Sequence, residues 1–442
     1  VMCGGMESGL TTAGKYPAFD KCTNTVNEGT LTITGGTFCY VSIGGADGWG
    51  GYVKKATATI SGTTDSATSL VGIFGNGSNG GSDEVIGTLT GCTFTSMEKS
   101  YTTEIASINR GHVKNVTLNF NKCTFPENVT AYIGGTVNWK KDYASSGAEV
   151  VSPGTISFSF NECTKTPTLG LSDGLENANV TVEGAPVKVA SFNNGKDAAK
   201  TAFTIAEGKT WNLNGGLEYA TESGATLTNN GTLNVVASTS ARLAAALSAK
   251  ANRINLEAVD YSLASNLEIT NPITLIGTVG TDNAITTITQ ATQAGSATAG
   301  DNLVTIKSTK NVSLENIKIT QSDNYGLHVF GSDSVKLTNV TLSGNKAGGL
   351  LVNGSTVTAD KLTTSDNAWG GIEVGKGSGV TAEPKLTISN STLKETSQIW
   401  ADTDPSKEGS EKIAEWVAGT GWNMFVEKLS GKDNEQTFWS QK

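Results

Sequence analysis

Tyr325-Gly326-Leu327-His328-Val329, Gly348-Gly349-Leu350-Leu351-Val352 and Trp369-Gly370-Gly371-Ile372-Glu373-Val374 are one pattern written three times. In each copy two apolar residues flank a variable one, as Leu327 and Val329 flank His328. Alternation with a period of two buries one face of a strand and leaves the other to solvent. The copies recur every 21 to 23 residues, and a fixed period of that size marks a stacked-coil solenoid. Two series of asparagines accompany them: Asn324, Asn345 and Asn367 ahead of the copies, and Asn316, Asn339 and Asn390 within Leu314-Glu315-Asn316-Ile317, Leu337-Thr338-Asn339-Val340 and Ile388-Ser389-Asn390-Ser391. Asn tolerates the left-handed conformation, and its amide can bond to an Asn on the next coil. A β-sandwich with Greek-key links would not produce such in-register repeats.

Outward from this stretch, the first half repeats more loosely. Tyr40-Val41-Ser42-Ile43 leads through a Gly- and Trp-containing loop to Thr57-Ala58-Thr59-Ile60-Ser61-Gly62. Leu70 to Phe74 leads likewise to Gly87-Thr88-Leu89-Thr90, and Ile105 to Ile108 leads to Val116-Thr117-Leu118-Asn119-Phe120. The loops differ in length while the strands do not, as expected where insertions leave the core path untouched. Four cysteines share one context, in Lys21-Cys22-Thr23, Gly91-Cys92-Thr93, Lys122-Cys123-Thr124 and Glu162-Cys163-Thr164. They are expected at equivalent positions of successive coils, either as buried free thiols or as disulfides between neighbours. Without CxxC or Cys/His spacing, a zinc site is not expected. Cys3, after Val1-Met2, only loosely fits a lipid-attachment cysteine, because Met before it is atypical.

Between the halves Ser240 is placed to cap a helix over Ala241 to Lys250, with Leu243 and Leu247 on one face. Strands at Ile254-Asn255-Leu256 and from Leu267 to Gly277 follow. This helix and strand pair resemble the N-terminal cap and first coils of the pectin-lyase-like β-helix superfamily, over roughly residues 238–400. The first half resembles Gly- and Thr-rich surface proteins of gut-type bacteria. The expected fold is therefore all-β, a right-handed parallel β-helix in two segments, 1–237 and 238–442. A capping helix is expected at about 240–251. Lys412 to Val417 reads as a short helix, and with the aromatic cluster of Trp422 to Val426 it forms an expected C-terminal cap.

Composition agrees with this class: 53 of 442 residues are Gly and only 17% are charged, a mix that favours turns and pleated strands over helices. The net charge of −9 argues against nucleic acid or an anionic membrane as partner. No apolar run is long enough to span a bilayer. No signal peptide is visible, which reads as a mature or trimmed chain, and an extracellular or cell-surface location is expected.

The superfamily resemblance implies a search for polysaccharide-cleaving signatures. Hydrolases of this kind carry Asn-Thr-Asp, Asp-Asp, Gly-His-Gly and Arg-Ile-Lys; lyases carry Trp-Ile-Asp-His and an Arg-Pro base. None occurs, and His112 in Arg110-Gly111-His112-Val113 lacks the second Gly. By alternation His328, Leu351, Glu373 and Trp400 form an outward column, with His328 and Glu373 two coils, roughly 10 Å, apart. Trp400 stacking on a sugar and Glu373 accepting its hydroxyls would make a carbohydrate stripe; an unliganded solvated face is the plainer alternative. Asp323 and Asp366, in Ser322-Asp323-Asn324 and Ser365-Asp366-Asn367, are expected to align two coils apart. That spacing approaches the roughly 6.5–9.5 Å of inverting glycosidases, and with further oxygens it would suit Ca2+; an Asp bonding its own turn is the simpler reading. No other cofactor is expected. Trp416, Trp422, Phe425 and Trp439 read as cap core or as a sugar platform. The functional expectation is a non-catalytic, adhesin-like or glycan-binding protein with a glycan or host-surface ligand. A lyase or hydrolase of acidic polysaccharide and a structural spacer are the alternatives.

Overall fold

The computed structural model describes residues 2–3, 25–38, 42–44, 52–65, 72–74, 80–94, 111–126, 130–133, 154–171, 175–192, 199–221, 224–257, 260–292, 300–401, 410–428 and 435–441. Cys22 and Cys39 lie outside them, and the side chains of Cys3 and His112 lie outside the described side chains. The chain divides into two compact units, Val1–Val236 and Ala237–Lys442. Among the described residues it is all-β apart from two short helices, and its strands stack in parallel as a right-handed β-helix. No helix among the described residues is long and apolar enough to cross a membrane.

In the first unit, strands Thr25–Thr34, Tyr52–Ser61, Gly80–Thr90, Gly111–Asn121, Thr155–Asn161, Asn179–Glu183 and Thr210–Leu213 pair in parallel and in register. Ile60, Leu89, Phe120 and Phe160 fall in one interior column. Phe120 stacks on Phe160 at 5.0 Å, Phe94 on Phe125 at 5.0 Å, and the two stacks meet edge to face. Such aromatic pairs contribute about 0.5–1.5 kcal/mol beyond their burial. Each long strand ends at a left-handed corner, made in turn by Gly35, Gly62, Gly91, Lys122 and Glu162. The next residue points inward, and so Thr63, Cys92, Cys123 and Cys163 form a second column, the first three of them buried. These three cysteines are free thiols.

In the second unit, the helix Ser240–Ser248 is capped by Thr239, not Ser240. The Thr239 hydroxyl accepts from the Arg242 N–H at 3.2 Å, while Ser240 is already helical and its hydroxyl reaches the Ser262 carbonyl. A cap residue must be extended, and Thr239 is the last such residue. Each coil that follows has three strand segments and three corners. Ser308, Gly331 and Gly354 make the first corner, Asn316, Asn339, Lys361 and Asn390 the second, and Gln321, Gly344 and Asp366 the third, all left-handed. Side-chain ladders run up the corners: Asn339 Nδ2 donates to Asn316 Oδ1 at 2.8 Å, and Asn345 Nδ2 to Asn367 Oδ1 at 2.7 Å. Ser332 and Ser355 hydroxyls accept backbone N–H groups of the coil before each. Leu327, Leu350, Ile372 and Ile399 stack in the interior, each fully buried.

At the C-terminal end, Ser410–Ala414 is the helical stretch among the described residues, starting and ending earlier than the expected Lys412 to Val417. Trp422–Glu427 and Gln436–Gln441 form an antiparallel hairpin whose second strand pairs with Ile399–Ala401. Trp416 and Trp439 are core residues, whereas Phe425 is 42% exposed.

Candidate functional site

The outward face of the strands Val304–Lys307, Leu327–Phe330, Gly348–Asn353, Gly370–Gly375 and Ile399–Ala401 gathers most of the residues singled out from the sequence. Thr305, His328, Leu351, Glu373 and Trp400 occupy one register column. Lys307, Phe330 and Asn353 form the next column on the same side.

His328 is half-buried and held from both sides. Its Nε2 lies 2.9 Å from Asn353 Oδ1, and its Nδ1 lies 3.2 Å from Asn302 Nδ2. The tautomer follows from a third bond. The Tyr325 backbone N–H donates to Asn302 Oδ1 at 3.2 Å, which leaves the Asn302 amide NH2 to face the ring. Nδ1 must therefore accept, the ring proton sits on Nε2, and Nε2–H donates to Asn353. Protonating Nδ1 would set two donors against each other. Burial lowers the His328 pKa, with Lys307 adding to the shift and the Asn353 bond opposing it. The imidazole is neutral at neutral pH, with both nitrogens engaged.

Tyr325 donates its hydroxyl to Glu373 Oε2, two coils away. It reaches that far because Gly348, the residue stacked over it, has no side chain; a Cβ there would strike the Tyr325 ring. Trp369 stands at the rim, 56% exposed, its ring edge to face with Tyr325 at 6.0 Å. Trp400 is different. Only 8% exposed, it packs with Tyr325, Ala347 and Phe438, with Leu351 against them. The expectation that Trp400 offers a sugar platform is wrong, because the returning hairpin lays Phe438 directly opposite it.

The two aspartates do not align. Ser343 pairs with Ser365, and the Asn345–Asn367 ladder continues that register, so Asp366 stacks on Gly344 and Gln321. Asp323 lies two residues further along its coil. The sequence spacing misled because Asn324 was set against Asn345, whereas Ser322 is the true partner, its N–H donating to Asn345 Oδ1 at 3.0 Å. Asp323 is buried, and Gln290 clasps it at both its N–H and its carboxylate, at 2.9 and 2.5 Å. Asp366 is an exposed left-handed corner residue. Neither a glycosidase pair nor a calcium cradle is built from them. Among the described residues no group of three or more His, Cys, Asp or Glu is placed to hold a metal.

Sequence reasoning missed Asn302, Asn353, Tyr325 and Trp369. One signal was available: Tyr325 occupies a column where the next two coils have Gly348 and Gly370.

A family described as right handed beta helix region matches residues 252–407. That stretch is a right-handed β-helix. The match bears out the resemblance to pectin-lyase-like proteins drawn from the helix and strand pair. Among solved structures, the A-module of the mannuronan C-5 epimerase AlgE4 of Azotobacter vinelandii is 13% identical, with 90% of this chain and 98% of that chain covered. Its TM-score of 0.24 carries no argument about activity. No curated protein matches the chain.

Proposed function

We propose that this is an extracellular or cell-surface β-helix protein whose second unit binds a glycan along the Tyr325–His328–Glu373 face without turning it over. The observation that carries the reading is the arrangement of His328. A general base needs a free lone pair within about 3 Å of the proton it takes, and both ring nitrogens are committed to asparagines. What the face offers instead is oriented hydrogen-bonding groups beside an exposed indole, the combination that sugar rings engage through hydroxyls and apolar faces. The net charge of −9 sets it against polyanionic nucleic acid.

One observation favours a second reading, turnover of an acidic polysaccharide: the Tyr325 hydroxyl is fixed on a carboxylate, an orientation that also serves proton transfer. A single experiment separates the two. The intact chain is screened on a glycan array and incubated with pectin, polygalacturonate, alginate and glycosaminoglycans, with reducing ends and unsaturated uronides measured. Saturable binding without products is expected, weakened about tenfold or more by Trp369→Ala. Product release that disappears in Tyr325→Phe or Glu373→Gln would install the enzyme reading.

A further inference from the structure

Cys92, Cys123 and Cys163 stand on three consecutive rungs of the first unit. Thr93, Thr124 and Thr164, the residues after them, bridge in parallel, and the Thr124 and Thr164 N–H groups donate to the Cys92 and Cys123 carbonyls at 2.9 Å. The three side chains share one orientation. Each Sγ faces a carbonyl of the preceding coil: Cys92 that of Ile60 at 3.7 Å, Cys123 that of Leu89 at 3.4 Å, Cys163 that of Phe120 at 3.3 Å. Ile60, Leu89 and Phe120 are themselves in register, so the sulfurs form a line along the stacking direction.

In-register parallel neighbours lie about 4.8 Å apart, inside the Cα range of about 4.4–6.8 Å that a disulfide accepts. The β-carbons must close slightly to reach their usual separation, and a bond so strained is more easily exchanged. Only one end of the line is open: Cys163 is half-buried, whereas Cys123 and Cys92 are both buried. The hydrogen bond from the Cys123 thiol lowers the pKa of Cys92, and the same contact raises that of Cys123.

We propose that this column is a thiol ladder in which one disulfide forms at the exposed rung and migrates inward by exchange. The Cys163 thiolate attacks a small-molecule disulfide such as glutathione disulfide, breaking its S–S bond and releasing one glutathione thiolate, which takes up a proton. Cys123, its thiol proton passing to the departing glutathione thiolate, then attacks Cys163 sulfur in the mixed disulfide and displaces the second glutathione. Two protein thiols are oxidised and one disulfide is reduced. Attack of Cys92 on Cys123 sulfur next forms Cys92–Cys123 and returns Cys163 as a thiol, with no net redox change. Three rungs always leave one thiol to continue the exchange.

Trypsin places the three cysteines in separate peptides, because Lys99, Lys122 and Lys140 lie between them and Lys165 follows. The test uses the full reduced chain with glutathione disulfide, sampled over time and mapped by mass spectrometry without reduction. Cys123–Cys163 should appear first and Cys92–Cys123 later. Cys163→Ser should slow the Cys92–Cys123 bond about tenfold or more, because access then fails. Cys123→Ser should abolish both bonds, since Cys92 and Cys163 are about 10 Å apart; Thr63 in the same column shows that a hydroxyl is accommodated there. Circular dichroism of each variant checks folding. Cys163 carrying only glutathione, a Cys92–Cys163 bond, or a Cys92–Cys123 bond equally fast in Cys163→Ser would overturn the ladder.

Discussion

The two units turn the same kind of corner with different chemistry. In the first, the corner passes from glycines to Lys122 and Glu162, and the column beside it holds a threonine and thiols. In the second, the corners carry asparagines and serines whose side chains bond from coil to coil. A thiol makes weak, forgiving bonds, and its register is set mainly by the phenylalanine stack beneath it. An asparagine ladder is directional and penalises slippage. Coil length does not separate the units: register offsets run from 18 between Leu169 and Val187 to 40 between Asn115 and Thr155 in the first, and from 21 between Arg253 and Thr274 to 39 between Ile273 and Val312 in the second.

The sharpest way to break this comparison is at the cores. Phe120→Ala should cost the first unit about 3–5 kcal/mol, and Leu350→Ala the second about 2–5 kcal/mol. Both are read by denaturant unfolding, and a neutral result at either site would show that its register is wrong. A smaller contrast lies in the corners. Asn345→Ala strands the buried Ser322 N–H and should cost about 1–3 kcal/mol. Cys123→Ser should stay below about 1.5 kcal/mol, because a hydroxyl can still reach the Leu89 carbonyl. Equal losses would mean that the two ladders do not differ in kind.

Much of this was legible in advance. Alternation around Leu327, Leu350 and Ile372 exposed the coils, and the outward column of His328, Leu351 and Glu373 followed from it. The Asn316–Asn339 ladder was equally readable because both sit in the same local motif, Leu-x-Asn. Two kinds of contact were not legible. The antiparallel return that buries Trp400 depends on tertiary pairing of Gln436–Gln441, which no repeat announces. The true Ser322–Asn345–Asn367 ladder mixes residue types, so matching asparagine to asparagine shifted Asp323 by two positions.

Gentler still is the response to pH. Because burial lowers the folded pKa of His328, the unfolded chain binds the proton more readily below about pH 6.5. The contribution of His328 is therefore full above that pH and declines as pH falls toward the folded value. Melting curves of His328→Gln should lack this part of the acid sensitivity. Least affected should be the stability of Trp369→Ala, within about 0.5 kcal/mol for so exposed a residue, even as glycan binding weakens.

The proposed glycan-binding face rests on a neutral His328 with its proton on Nε2. The chain has two histidines, so 15N imidazole spectra of the protein and of His112→Asn assign His328 directly. At pH 7 the account predicts one neutral Nε2–H tautomer, titrating below 6.5, with its shifts perturbed by Asn302→Ala. A charged ring at pH 7, or a proton on Nδ1, would contradict it.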